Sequence, residues 1–202
     1  MIKVLNLYAG IGGNRKLWEG VDVTAVEFNE DIAAVYKSLY PNDTVIVGDA
    51  HKYLLENFQE FDFIWSSPPC QRHSSMRHNI SVRFRGCDIV YPDMSLYEEI
   101  VLLKYYFKGK WVVENVIPYY GELFNDTIKA TKINRHLYWS NFYLNQVPLP
   151  AENLRAIQIH DLEKLHGIKI SHFKIKNKRQ ILRNCVSPKV GLSILNDALC
   201  TQ

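Results

Sequence analysis

Five short apolar runs, separated for the most part by stretches of helix length, constrain this chain more than any other feature. They are Lys3 to Tyr8, Val21 to Val26, Thr44 to Val47, Phe61 to Trp65 and Lys110 to Val113. Helical patterns lie between them: Glu30 to Tyr40, stopped by Pro41; Ala50 to Phe58; and Met94 to Lys108, where Leu96, Ile100, Leu103 and Phe107 recur at helical spacing. Strands alternating with helices build a mostly parallel sheet covered by helices, so the expected fold class is α/β. The strands of such a sheet deliver their carboxyl ends to one crevice, where ligands bind.

The first strand runs into Ala9-Gly10-Ile11-Gly12-Gly13 and then a stretch expected to be helical as far as Glu19. Strand, glycine turn and helix open a nucleotide-binding unit, because glycines let the backbone approach a ligand and a helix start presents unpaired N–H groups. The G-x-G-G spacing differs from the dinucleotide G-x-G-x-x-G and weakens a nicotinamide or flavin reading. The second strand ends in Glu27-Phe28, an acid able to take both hydroxyls of a ribose beside an aromatic able to stack on a base. The third ends in Gly48-Asp49; Asp49 either accepts from an adenine amino group or caps the following helix.

The fourth strand delivers Ser66-Ser67-Pro68-Pro69-Cys70-Gln71. Cys70 at a proline-stiffened strand end is either a nucleophile or a small apolar residue of a structural turn. Arg72, His73 and Arg77 nearby in sequence are expected to lower its pKa. The fifth strand ends in Glu114-Asn115-Val116, which places a second carboxylate at the same sheet edge as Glu27 and Asp49. A single strand-end acid is often only solvated or salt-bridged. Four chemistry-bearing groups at one edge point to a site.

At 202 residues and 47% hydrophobic, the chain suits one domain with a substantial core, or one domain and a small appendage. It has no run of about eighteen apolar residues, and its start leads straight into a strand, so a cytoplasmic protein without membrane contact is expected. Cys70, Cys87, Cys185 and Cys200 include no C-x-x-C pair, which argues against a disulfide framework or a zinc site. The net charge of +3 conceals a division. Residues 72–85 hold Arg72, Arg77, Arg83 and Arg85 without an acid, and residues 164–189 hold eight lysines and arginines without an acid. Elsewhere twelve basic residues face 21 acidic ones. Positive charge concentrated in this way favours a phosphate-rich partner. Residues 71–93 read as a long loop that closes over a nucleic acid, Gly121 to Thr131 as helical, Leu137 to Leu144 as a strand, and 151–178 as poorly patterned. Arg179 to Val186 and Pro188 to Leu199 read as a helical closure.

Taken together, these residues resemble the DNA (cytosine-5) methyltransferase family. Four of its blocks occur in order: Asn6-Leu7-Tyr8-Ala9-Gly10-Ile11-Gly12-Gly13, Pro68-Pro69-Cys70-Gln71, Glu114-Asn115-Val116, and a weaker Arg183-Asn184-Cys185-Val186-Ser187-Pro188. The resemblance implies a Rossmann-like S-adenosylmethionine-dependent methyltransferase fold. It also implies a core over 1–144, a short basic segment over 145–178, and helices completing the core over 179–202. Cys70 would add to carbon 6 of cytosine, Glu114 would stabilise or protonate ring nitrogen 3, and Arg135 would sit near the base. Tyr8, Ala9, Gly10, Ile11, Gly12, Gly13 and Pro68 would line the S-adenosylmethionine pocket. Glu27 would hold its ribose, Phe28 stack on its adenine, Asp49 read the amino group, and Asn184 and Val186 complete the wall. The partner implied is DNA, most naturally a duplex with the target base extruded. Gln71, Arg72, Arg77, Arg83 and Arg85 would face it from the loop, and Lys176, Lys178 and Arg179 from the basic segment.

The chain departs from the family pattern in four places. Only about 36 residues separate Phe142 from Arg179, too few for the usual recognition domain, so either the two basic stretches dock DNA by backbone contacts with short or loose specificity, or a homodimer or partner subunit supplies target choice. Asn134-Arg135-His136 stands where two arginines one residue apart are usual, Arg183 replaces a glycine, and Arg72-His73 replaces a pattern ending in Phe-Ser. A transfer-RNA cytosine methyltransferase and a non-catalytic nucleic-acid-binding subunit of the same fold remain as alternatives.

Overall fold

A computed structural model describes residues 1–83, 91–124, 126–149 and 158–200, without the side chains of 81–83. Among these residues, seven strands form one sheet in the order β3-β2-β1-β4-β5-β7-β6. The strands are β1 (Ile2–Leu7), β2 (Val21–Glu27), β3 (Thr44–Val47), β4 (Phe63–Ser66), β5 (Lys110–Val116), β6 (Thr131–Ile133) and β7 (His136–Ser140). The first five run parallel, and β7 lies antiparallel to both β5 and β6. The order turns back between β1 and β4, so the loops leaving these two strands diverge. The crevice between them is the switch point where open α/β sheets bind ligands.

Alternation along the strands divides the core into two layers, as the two-residue period of a strand requires. Leu5, Leu7, Ile64, Trp111 and Val113 face α2 (Ala50–Asn57) and α4 (Ser95–Tyr106). Val4, Val23, Phe63, Trp65 and Val112 face α7 (Pro188–Cys200). A helix α1 (Glu30–Leu39) begins at Asn29, whose side chain accepts from the Ile32 N–H, and carries Glu30 and Asp31 in its first turn, where acids suit the positive helix end. Asp49 caps α2 in the same way, accepting from the Lys52 N–H at 3.1 Å.

Four expectations are corrected. The glycine loop leads into a single 3-10 turn, Asn14–Leu17, and not a helix reaching Glu19. That turn is held from outside: the Trp18 indole donates to the Gly191 carbonyl at 2.9 Å, and a Cβ on Gly191 would collide with the Asn14 carbonyl. Residues 71–93 are not loop throughout, since α3 (Ser75–Arg83) follows a 3-10 turn at Cys70–Arg72. It escaped the pattern because its sequence has no apolar stripe; it is anchored by the bridge of Ser74 to Pro118 and by His78 stacked on Tyr119 at 3.9 Å. The stretch after Gly121 forms a turn in which the Phe124 carbonyl accepts from Thr127 and Ile128, and it then enters β6.

Last, α5 (Ile159–His166) gives the poorly patterned stretch an ordered helix, whereas α6 (Lys178–Asn184) falls where the helical closure was expected. Leu162, Ile168, Ile170 and Leu182 pack with Val35 of α1 and Ile11 of the glycine loop. The segment thus leans on the glycine loop. Among the described residues no helix is long and apolar enough to cross a membrane.

Candidate active site

A cavity of about 720 Å³ opens at the switch point. Its floor is the glycine loop (Tyr8, Ala9, Gly10, Ile11 and Gly13) with Glu27 beside it. Pro68, Cys70 and Gln71 enter from β4, Glu114 from β5, Arg135 from the approach to β7, and Asn184 and Val186 from the end of α6. Thiol, carboxylate, guanidinium and glycine loop therefore share one space.

The glycine end is fixed by backbone. Gly10 has φ +54 and open space where a Cβ would stand, so its bare backbone faces the cavity. Its N–H donates to Glu27 Oε2 at 2.9 Å, and Asn29 N–H donates to Glu27 Oε1 at 2.9 Å. A carboxylate held by two amides keeps one orientation and still has free lone pairs. Gly13 lies against the chain end: a Cβ there would come within 2.6 Å of the Val186 carbonyl. Gly12 turns away from the cavity toward Tyr40, whose hydroxyl donates to its carbonyl at 2.7 Å. Asp49 and Phe28 also lie outside the lining; Asp49 serves as the cap of α2, and Phe28 is 78% exposed beyond the strand end.

The thiol end is governed by charge. Burial pushes the Cys70 thiol above its ordinary range and Glu114 adds to the rise, while its own backbone N–H and Arg135 oppose it. This corrects the expectation that Arg72, His73 and Arg77 activate it. Arg72 and Arg77 are exposed, and His73 is fully buried on the other side, its Nδ1 2.6 Å from the Tyr120 hydroxyl. Burial also holds His73 neutral at ordinary pH, because it disfavours the charged ring. Glu114 is 8% exposed, and His136 Nδ1 stands 3.5 Å from its Oε1. Burial lowers the His136 pKa more than Glu114 raises it, so this contact is that of a neutral ring. Asn115 pins the loop that carries Cys70, donating to the Pro68 carbonyl at 3.0 Å.

Of the expected nucleic-acid contacts, Gln71 lines the cavity and Arg72 and Arg77 lie on the surface beside it in sequence. The Arg83 side chain and Arg85 lie outside the described residues, as does Cys87. Lys176 and Arg179 are exposed near the start of α6, and Lys178 Nζ donates to the Ser171 carbonyl at 2.6 Å.

One important residue escaped the sequence reading. Glu99 of α4 is 0% exposed and accepts from the Tyr8 hydroxyl at 2.6 Å and the Ser66 hydroxyl at 2.5 Å, with His51 Nδ1 at 3.1 Å. It ties the carboxyl ends of β1 and β4 together and so fixes the spacing between the glycine loop and the Cys70 loop. On a helix wheel it is an acid at an apolar position, a signal that was available.

Residues 2–88 match the family model of C-5 cytosine-specific DNA methylases, which includes the glycine loop and Cys70 and stops before Glu114. No curated protein matches the sequence. Among solved structures, a methyltransferase of Entamoeba histolytica, EhMeth, superposes with a TM-score of 0.61 at 12% identity, covering 98% of each chain. A Spodoptera frugiperda DNMT2 mutant is matched at 17% identity over 75% of this chain and 56% of its own, with a TM-score of 0.47 that adds no weight. This chain is similar to the C-5 cytosine-specific DNA methylases over residues 2–88 and has the Rossmann-like fold of S-adenosylmethionine-dependent methyltransferases.

Proposed function

We propose that this chain transfers a methyl group to carbon 5 of cytosine in DNA. The observation that carries the proposal is the single cavity lined by Cys70, Glu114 and the glycine loop. The residues present fit S-adenosylmethionine: the bare Gly10 backbone offers close approach, Glu27 a fixed acceptor for ribose hydroxyls, and Asn184 and Val186 a wall. When bound, that cofactor would supply an electrophilic methyl group.

The chain's own residues do the rest. As a thiolate, Cys70 adds to carbon 6 of the ring, and the electron pair displaced makes carbon 5 nucleophilic. Glu114 faces ring nitrogen 3, where negative charge builds, and hydrogen-bonds or protonates it. Arg135 opposes, without overcoming, the rise that burial and Glu114 impose on the thiol. Loss of the carbon 5 proton then returns the electrons and expels the sulfur. A stacked base cannot reach this recessed thiol, so the target nucleotide must leave the helix. The basic surface of α6 and the residues after Cys70 supplies phosphate contacts, and a second subunit would supply sequence choice.

Labelled S-adenosylmethionine offered with duplex DNA, single-stranded DNA and transfer RNA tests this reading, with native protein beside Cys70→Ser. Label at carbon 5 of DNA cytosine, lost in the variant, is expected. Label in RNA alone would move the substrate to RNA, and no label in any nucleic acid would refute the enzymatic reading.

A further inference from the structure

Two of the chain's departures from the family pattern meet in space. The arginine block keeps one arginine, Arg135, and the terminal block carries Arg183 in place of a glycine. Both line the cavity that holds Cys70 and Glu114. Arg135 Nη2 donates to the Arg183 carbonyl at 2.6 Å, which joins the end of α6 to the approach to β7. The two guanidiniums are near enough for Arg183 to work against the charge on Arg135.

The Nε of Arg183 is buried and has no hydrogen-bond partner among the described residues. An unpaired buried donor is unfavourable, and like charges lining one cavity add to that cost. Of the acids lining the cavity, Glu27 already serves two backbone amides. Glu114 acts on Cys70, Arg135 and His136. The arrangement becomes favourable when a ligand brings an oxyanion, because a guanidinium fork matches phosphate or carboxylate geometry.

Building on the function proposed above, we propose that Arg183 and Arg135 form an oxyanion site for the phosphate adjoining the target base. The substrate is then a polynucleotide and not a free base or nucleoside. The same chemistry could arrive as the carboxylate of the cofactor's methionine part, since Asn184 and Val186 follow directly. Arg135, however, adjoins His136, whose Nδ1 stands 3.5 Å from Glu114 Oε1, which places the pair at the end of the cavity where the base reacts.

The test compares the full chain with Arg183→Gln and Arg183→Gly, the second restoring the residue usual in the family. Binding of labelled cytosine-containing duplex DNA and RNA is read by anisotropy across a salt series, and S-adenosylhomocysteine binding by calorimetry. Both variants are expected to bind nucleic acid about tenfold more weakly and to flatten the salt dependence by about one unit of slope. S-adenosylhomocysteine binding should change by less than about twofold, well under 1 kcal/mol. Weaker S-adenosylhomocysteine binding with nucleic acid unaffected would assign the site to the carboxylate and overturn the phosphate. No change in either would overturn the site altogether. A native chain that methylates cytosine while Arg183→Gln binds nucleic acid equally well sinks this inference alone, and a native chain that neither binds nor methylates nucleic acid sinks the proposed function with it.

Discussion

The two ends of the cavity are held by different forces. At the glycine end, position is set by backbone: two amides on Glu27, the bare face of Gly10, and Gly13 seated against Val186. At the thiol end, it is set by charge and burial: Cys70 raised by its surroundings, Arg135 opposing that rise, and His136 held neutral beside Glu114. The second carries Cys70, whose raised thiol pKa makes the chemistry depend on pH.

The largest expected effect breaks the thiol end. Glu114→Gln should lower turnover by about 10²–10⁴-fold, the range general acid–base catalysis supplies. The same change should speed alkylation of Cys70, because Glu114 raises the thiol pKa; Arg135→Gln should slow it. Peptide mapping after iodoacetamide treatment separates Cys70 from the other cysteines. A Glu114→Gln protein whose Cys70 alkylates no faster would uncouple the two groups.

Gly13→Ala strikes the opposite end. Its Cβ would stand 2.6 Å from the Val186 carbonyl and 3.0 Å from the Cys185 Cβ, so the terminal block must shift. A cost of about 1–3 kcal/mol is expected for such overpacking. It should appear as weaker S-adenosylhomocysteine binding with the rate of Cys70 alkylation unchanged. If alkylation changes as much as binding does, the two ends are not independent.

Glu99→Gln sharpens the comparison, since this carboxylate joins both ends. Leaving the hydroxyls of Tyr8 and Ser66 poorly paired should cost about 1–3 kcal/mol in urea unfolding, and Tyr8→Phe, which removes only one donor, should cost less. Equal losses in the two variants would show that Ser66 and His51 contribute nothing to the tie.

The smallest effect concerns His51. Its hydrogen bond to Glu99 raises its pKa above the ordinary histidine value, with desolvation opposing. A raised folded-state pKa means that the stabilisation is fully present below about pH 6.5, the unfolded value. It is lost as pH rises through the folded value. Melting temperatures measured from pH 5.5 to 8.5 should therefore fall more for the native protein than for His51→Ala. Parallel curves would remove His51 from the network.

Much of the glycine end was legible in the sequence because it is local. Strand, loop and the acid at the next strand end lie within residues 3–27, and apolar runs alternating with stretches of helix length declared the mostly parallel sheet. Phe28 and Asp49 are the exceptions, for the sequence placed them at the right edge without revealing which way they face. At the thiol end, proximity along the chain misled: Arg72, His73 and Arg77 follow Cys70 directly, whereas the groups that set its pKa arrive from β5 and the approach to β7, 44 and 65 residues later in the sequence. Charge acts through space, and only the folded sheet says what is near. The helix α5 within 151–178 was not legible for a related reason, since its Leu162 is buried against Val35 of α1 and Ile11, far away in the sequence.

The most direct test of a shared Cys70–Glu114 site is adduct trapping with an oligonucleotide carrying 5-fluorocytosine. Fluorine cannot leave carbon 5 as a proton does, so the bond from sulfur to carbon 6 persists. Incubation with S-adenosylmethionine should give a denaturant-resistant complex whose mass equals protein plus methylated oligonucleotide, cross-linked at Cys70 and much slower to form in Glu114→Gln. A cross-link at another residue, or full-rate adduct formation in Glu114→Gln, would contradict a single site built from these two groups.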